Sequence, residues 1–249
     1  QAPAVAVIVL NWQRPELLRR CLETVFALKT LARVHLVVFD NESTAEGRVA
    51  IAEMLSEMGN GANLAPQSAD LLFCDANLGF AAAMNKAIEF ARQSYKPLWF
   101  WLLNNDVLLE PDTLDELLEE GDVHPEWGIL GSAIRGEALA GDAILYGGYQ
   151  YQPAFSRLRP CTTPDQRPDY IAGEEIFAQV GLLSEDYFLF GEELDFALRA
   201  KQADWGWGCA KKSRIWHDSG QSIASRSPLS GRSPEWAREY FENRSALLI

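Results

Sequence analysis

The sequence predicts an α/β fold: a mostly parallel central sheet flanked by helices, with a smaller subregion in the second half. Two observations carry this. Short apolar strands alternate with helical patterns through the first half of the chain, the arrangement that builds a parallel sheet with helices on its faces. Each of those strands stops abruptly in Asn or Asp. The bulk composition agrees, because 249 residues with 48% hydrophobic and 11% aromatic content can bury a sizeable core.

Val5 to Leu10 (VAVIVL) reads as a buried strand and ends at Asn11. Arg14 to Leu28 has helical spacing, with Leu17, Leu18, Cys21, Leu22 and Val25 on one side and Pro15 in the first turn. His35 to Phe39 is a second strand that closes on Asp40 and Asn41, after which Ser43, Thr44 and Glu46 open a helix. Met58 to Ser68, rich in Gly, Asn and Ala, reads as a loop, and Leu71 to Cys74 as a short strand. The segment ANLGFAAAMNKAIEFARQ then places Gly79 before an Ala-rich helix that carries Asn85 and Lys86. In LWFWLLNNDVLLE, Leu98 to Glu110, an aromatic strand runs into Asn104, Asn105 and Asp106, and Pro111 to Glu120 follows as a helix with acidic first turns.

The second half is less regular. GILGSAI and AILYGGYQY look like strands, with Gly147 and Gly148 permitting a close backbone approach, and Arg157 to Asp169 is a proline-punctuated loop. Glu192, Glu193 and Asp195 open a helix with apolar Leu194, Phe196 and Leu198, followed by Arg199. His217 follows a strand edge at Arg214 to Trp216, and Ser222 to Pro234 has the composition of a mobile loop or a surface linker.

A formal net charge of -13 argues against nucleic acid or anionic lipid as the main partner. An anionic substrate therefore needs a local counter-charge, and a metal ion can supply it. In open α/β sheets ligands bind at the carboxyl ends of the strands, so Asn11, Asp40, Asn77 and Asp106 are expected to line one site. Asp106, with the amides of Asn104 and Asn105 just before it, suits Mg²⁺ or Mn²⁺. Taken alone, each has a plainer reading: a turn for Asn104 to Asp106, a helix cap for Asp40, a solvated helix start for Glu192 to Asp195, a structural histidine for His217. The four cysteines lack metal-like spacing and read as reduced thiols of a cytosolic protein. No GxGxxG follows the first strand, where NWQRP stands instead, which disfavours a nicotinamide oxidoreductase. No run is long enough to span a bilayer.

Six segments together resemble family 2 glycosyltransferases of the GT-A fold, rhamnosyltransferase-like members in particular. They are VIVLNWQRPELLRRCLETV, VVFDNES, NLGFAAAMN, WLLNNDVLLEPDTL, FLFGEELDFALRA and IWHDSG, in the family's order and across nearly the whole chain. The resemblance implies an inverting transfer of a sugar from a nucleoside diphosphate donor to a hydroxyl of a glycan or lipid-linked glycan acceptor. It implies donor contacts at Asn11, Asp40, Asn77, Gly79, Asn85, Asn104 and Asn105, and a divalent metal at Asp106 and His217. Asn104 stands where the family's metal motif has its first Asp, which leaves Asp106 as the motif's one carboxylate. The EELD element implies catalytic acids at Glu193, the base, and Asp195; Asp is commoner than Glu at position 193. The stretch from Gly173 to Val180 is several residues shorter than the family's strand and turn. The expected organisation is one domain over 1–249, with 1–107 binding the nucleotide sugar and 108–249 supplying the acceptor side, continuing past Ile249. The expected location is the cytoplasm or the inner face of the membrane. A binding module that kept the fold and lost turnover is the alternative.

Overall fold

The computed structural model describes residues 2–60, 65–135, 144–146, 149–152, 157–160 and 170–217, together with Ser233 and Tyr240. The expected features at Gly147, Gly148, Cys161 and, apart from Ser233, Ser222 to Pro234 lie outside them.

The chain opens with β1 (Ala4–Asn11), α1 (Pro15–Phe26), β2 (Arg33–Asn41), α2 (Ala45–Gly59), β3 (Pro66–Cys74), α3 (Phe80–Tyr95) and β4 (Trp99–Asn104). β5 (Val107–Leu109), α4 (Thr113–Val123), β6 (Trp127–Arg135), β7 (Ile144–Tyr146), β8 (Tyr149–Gln152) and β9 (Arg157–Pro160) follow. The last elements are β10 (Tyr170–Gly173), α5 (Glu174–Val180), α6 (Glu192–Gln202) and β11 (Gly206–His217). Among the described residues the main sheet has nine strands in the order β3-β2-β1-β4-β10-β6-β11-β5, with β7 beside β6. β3, β2, β1 and β4 are mutually parallel. The second half is mixed, since β10 enters antiparallel between β4 and β6, whereas β11 runs parallel to β6.

All eight residues of β1 are buried because helices cover both faces of the sheet. Val5, Val7 and Val9 face the core packed by α1, α2 and α4, and Ala6, Ile8 and Leu10 face that packed by α3, α5 and α6. This alternation is the period-two pleat applied to a doubly buried strand. α1 begins at Pro15 and buries Leu18, Cys21, Leu22, Val25 and Phe26. α2 is capped by Thr44, whose hydroxyl accepts from the Gly47 N–H at 3.1 Å, so this helix begins where the Ser43, Thr44 and Glu46 signal expects it.

Several boundaries differ from the sequence expectation. α2 runs through Gly59 and β3 starts at Pro66, so the loop expected from Met58 to Ser68 is shorter. AILYGGYQY is two strands rather than one, because β7 pairs with β6 in the main sheet and β8 pairs with β9 in a separate hairpin. β9 itself falls inside the loop expected from Arg157 to Asp169; it pairs with β8, the second part of AILYGGYQY, a pairing that local pattern does not reveal. β11 begins eight residues before Arg214, and Gly206 and Gly208 make this possible. A Cβ at Gly208 would sit 1.9 Å from the Trp127 ring, so only glycine lets β11 lie against that indole. Trp205 and Trp207 pack partly buried against the α3 side of the core rather than forming a separate aromatic surface. The segment shortened relative to the family passes directly from β10 into α5, with the Glu174 N–H donating to the Leu98 carbonyl at 2.9 Å.

Candidate active site at the strand ends

Parallel register sets the site. β1 pairs Asn11 with Asp40 of β2 and Leu10 with Asn104 of β4, so the polar endings of three strands meet at one edge. Their side chains form a chain of hydrogen bonds. Asn105 Nδ2 donates to Asn11 Oδ1 at 2.8 Å, and Asn11 Nδ2 donates to Asp40 Oδ1 at 2.9 Å. Ser43 Oγ donates to the same Asp40 oxygen at 2.6 Å, and the Ser43 N–H donates to Asp40 Oδ2 at 3.1 Å. Arg48 stands 4.0 Å from Oδ2 and is held by Asp75 at 2.8 Å and by the Cys74 carbonyl at 2.7 Å. Asn11 and Asp40 are 0% exposed and Asn105 is 3% exposed. These three side chains are enclosed at the strand ends, and Asn104 beside them is partly exposed.

Asn41 carries a second network that the sequence reading did not assign. Its Nδ2 donates to Asn77 Oδ1 at 2.9 Å and to the Gly79 carbonyl at 3.3 Å, and its Oδ1 accepts from the Leu78 N–H at 2.9 Å. The Gly79 N–H in turn donates to Asn77 Oδ1 at 2.9 Å. The turn before α3 is thereby pinned to the end of β2. The signal was present as the second polar residue of the Asp40–Asn41 pair, but only pairing across the sheet gives it a partner.

Positive φ values occur in turns near this edge and also at Lys96 (49°) and Asp204 (61°), after α3 and α6. Gln13 (52°) and Glu42 (80°) lie in the turns after β1 and β2, and Phe190 (64°) and Gly191 (96°) precede α6. Non-glycine residues hold such angles only where the surroundings fix them, and such residues concentrate at functional sites. Trp12 Nε1 and Gln13 Nε2 reach Glu42 across the two turns, each at 3.4 Å.

Asp106 is 6% exposed and Asn104 is partly exposed. Beneath them the buried Cys21 thiol has its pKa pushed up to about 12, first by burial and then by the negative charge of Asp106. β11 brings the His217 backbone opposite Val107, the residue after Asp106; of His217 only the backbone is described. Among the described residues, no three His, Cys, Asp or Glu side chains converge as a metal cluster. A hard divalent cation held by one or two carboxylates, with phosphate oxygens and water completing its shell, fits the single carboxylate and neighbouring amide found here.

At the start of α6 the acids separate by environment. Glu192 is 3% exposed, and its pKa is raised well above the carboxylate range, chiefly by burial and secondly by the charge of Glu193. Glu193 on the same turn is exposed. Asp195, grouped above with the catalytic acids, is ion-paired: its Oδ2 accepts from Arg199 Nε at 2.8 Å, an i,i+4 pair on the helix. Asn85, expected at a donor-contact segment, is buried within α3. Its amide donates to the Leu183 carbonyl at 2.9 Å and to Glu185 Oε1 at 3.0 Å, and accepts from the Leu183 N–H at 3.1 Å. Its spacing along α3 does not show which residues stand opposite.

The mixed, helix-flanked sheet has the fold of the GT-A glycosyltransferases, as the solved structures it matches show. The chain belongs to glycosyl transferase family 2, whose model matches residues 6–173. It is 29% identical over 169 residues to the N-acetylglucosaminyl-diphospho-decaprenol L-rhamnosyltransferase of Mycobacterium tuberculosis, covering 54% of this chain and 54% of that protein. It is 24% identical over 238 residues to the O-antigen biosynthesis protein RfbC of Myxococcus xanthus, covering 88% of this chain and 18% of that protein. The chain thus spans about half the length of the first relative and a smaller part of the second. Among solved structures, the mannosyltransferase PcManGT of Pyrobaculum calidifontis in complex with GDP-Man and Mn²⁺ matches at a TM-score of 0.66 and 14% identity. That match covers 98% of this chain and 63% of that one. TarS 1-349 of S. aureus in complex with UDP matches at 0.60 and 14% identity, over 86% and 60% of the two chains. At such identities the likeness is one of fold.

Proposed function

We propose that this domain transfers a sugar, rhamnose by analogy with the mycobacterial relative, from a nucleoside diphosphate donor to a hydroxyl of a glycan or lipid-linked glycan in bacterial cell-surface polysaccharide synthesis. The observation that carries the reading is the register that joins the ends of β1, β2 and β4 into one polar floor, in a family 2 chain. The donor lies over that floor. Asp40, Asn11 and Asn105 hold its shape from below, and Asn77, Gly79 and Asn104 border the nucleoside and diphosphate. Asp106 and His217 would hold a Mg²⁺ or Mn²⁺ ion, which when bound supplies charge neutralisation for the departing diphosphate.

Glu193 acts as general base. The acceptor oxygen attacks the anomeric carbon as its proton passes to the Glu193 carboxylate, the bond from that carbon to the diphosphate oxygen breaks, and a single displacement inverts the centre. Glu193 is exposed on the first turn of its helix, where an acceptor can reach it. Among the described residues no helix is long and apolar enough to cross a membrane.

The test is Glu193→Gln assayed with a panel of nucleotide sugars and glycan acceptors. Transfer falls by about 100-fold or more while donor binding persists. Intact transfer by the variant overturns the assignment, and the absence of nucleoside diphosphate release by the native chain with every donor and acceptor supports a pure binding module instead.

A further inference from the structure

The irregular segment between α5 and α6 is fastened to two helices at once. Arg199 of α6 reaches back along it, donating from Nη1 to the Val180 carbonyl at 2.7 Å and from Nη2 to the Leu182 carbonyl at 2.9 Å. Asp195 fixes the same guanidinium through Nε. From the other side, Asn85 of α3 takes both backbone groups of Leu183 and the carboxylate of Glu185. Further along, the Phe188 carbonyl accepts from the Phe80 N–H at 2.8 Å, and a Cβ on Gly79 would lie 2.4 Å from that oxygen. The chain then passes through left-handed φ at Phe190 and Gly191 and enters α6, burying Glu192 and leaving Glu193 exposed.

The placement of Asn85 is informative. Its helical neighbours one turn away on the same face, Ala81 and Ile88, are both buried and apolar, and an apolar residue would suit that face better. A buried amide needs its partners, and among the described residues those of the Asn85 side chain belong to the 183–185 segment. Arg199 meets the same segment from the helix that carries Glu193.

We propose that residues 182–190 are a brace through which α3 sets the position of Glu193, so that Asn85 and Arg199 are positioning residues for the transfer step rather than ligand contacts. The inference rests on the transferase reading above. It links the turn at Asn77 to Gly79, on the donor side, to the helix that bears the base. The route runs through two side chains and one strained corner.

The test compares the native chain with Asn85→Leu and Arg199→Lys in three measurements: amide hydrogen exchange, affinity for UDP, GDP and dTDP with Mn²⁺, and steady-state transfer. In each variant the amides of 182–190 exchange faster while those of α3 keep their protection, as expected for a locally released segment. Nucleotide affinity and donor KM stay unchanged while kcat falls about 100-fold, the effect of displacing a reacting group by about 1 Å. Unchanged exchange across 182–190 in both variants overturns the brace. So does a raised donor KM with kcat intact, which marks Asn85 as a ligand contact, or transfer at the native kcat. Should Asn85→Leu fail to fold, Arg199→Lys decides alone. Absence of transfer by the native chain with every donor overturns the transferase reading instead, and the exchange measurement still judges the brace.

Discussion

Replacing Gly79 by Ala tests how closely the donor-side turn and the brace approach each other, and the fold supplies its own control. Gly79 has φ 80° and ψ -179°, and Gly181 has φ 81° and ψ -176°. The backbone penalty for a side chain is therefore the same at both, about 2 kcal/mol for this region of φ/ψ space. The surroundings differ. A Cβ at Gly181 meets nothing within 4 Å, whereas one at Gly79 meets the Phe188 carbonyl oxygen at 2.4 Å and Phe188 Cδ2 at 2.8 Å. Relieving those contacts requires moving backbone, and overpacking of this kind adds about 1–3 kcal/mol. Gly79→Ala should therefore be less stable than Gly181→Ala by about 2 kcal/mol, or about 6 °C in Tm for a chain of this size. Thermal unfolding followed by circular dichroism, with denaturant midpoints alongside, measures the difference. Equal losses from the two variants would show that Phe188 does not rest on Gly79 and would refute the close approach.

Two further outcomes follow from the buried groups near the site. Because the Glu192 pKa is raised in the folded chain, the native state holds that proton more tightly than the unfolded state, and stability falls as pH rises above the unfolded value near 4.5. Glu192→Gln removes this slope, so its stability advantage over the native chain should widen between pH 4.5 and pH 8 in denaturant titrations; a constant gap would contradict the buried acid. Cys21, with its thiol pushed up to about 12, should resist alkylation at pH 8 until the protein unfolds, as peptide mass mapping would report; rapid native labelling would contradict its burial beneath Asp106.

The apolar runs of β1, β2 and β4 and their polar endings were legible because strand period and turn chemistry are local properties. α1, α2 and α3 were legible for the same reason, through Pro15, Thr44 and Gly79 at their starts. The boundaries that escaped depend on distant partners. β9 exists because β8 lies beside it, and β11 extends over Gly206 to Ser213 because Trp127 and β6 accept it there.

The sequence by itself determined that this is a family 2 chain with Asn, Asp and Asn at successive strand ends, since those features reside in residue order. Tertiary structure decided what each of them does. Asp40 and Asn105 look like exposed strand-end polar residues in the sequence, yet the fold encloses both and pairs them through Asn11. Glu192 and Glu193 are neighbours of one residue type, and the rotation of about 100° between successive residues of α6 leaves one buried and the other exposed. Asn85 sits on a helix whose pattern is silent about the opposing backbone. Burial and hydrogen-bond partners arise from contacts distant in sequence, and those contacts separate the enclosed Asp40, Asn105 and Glu192 from the exposed Glu193.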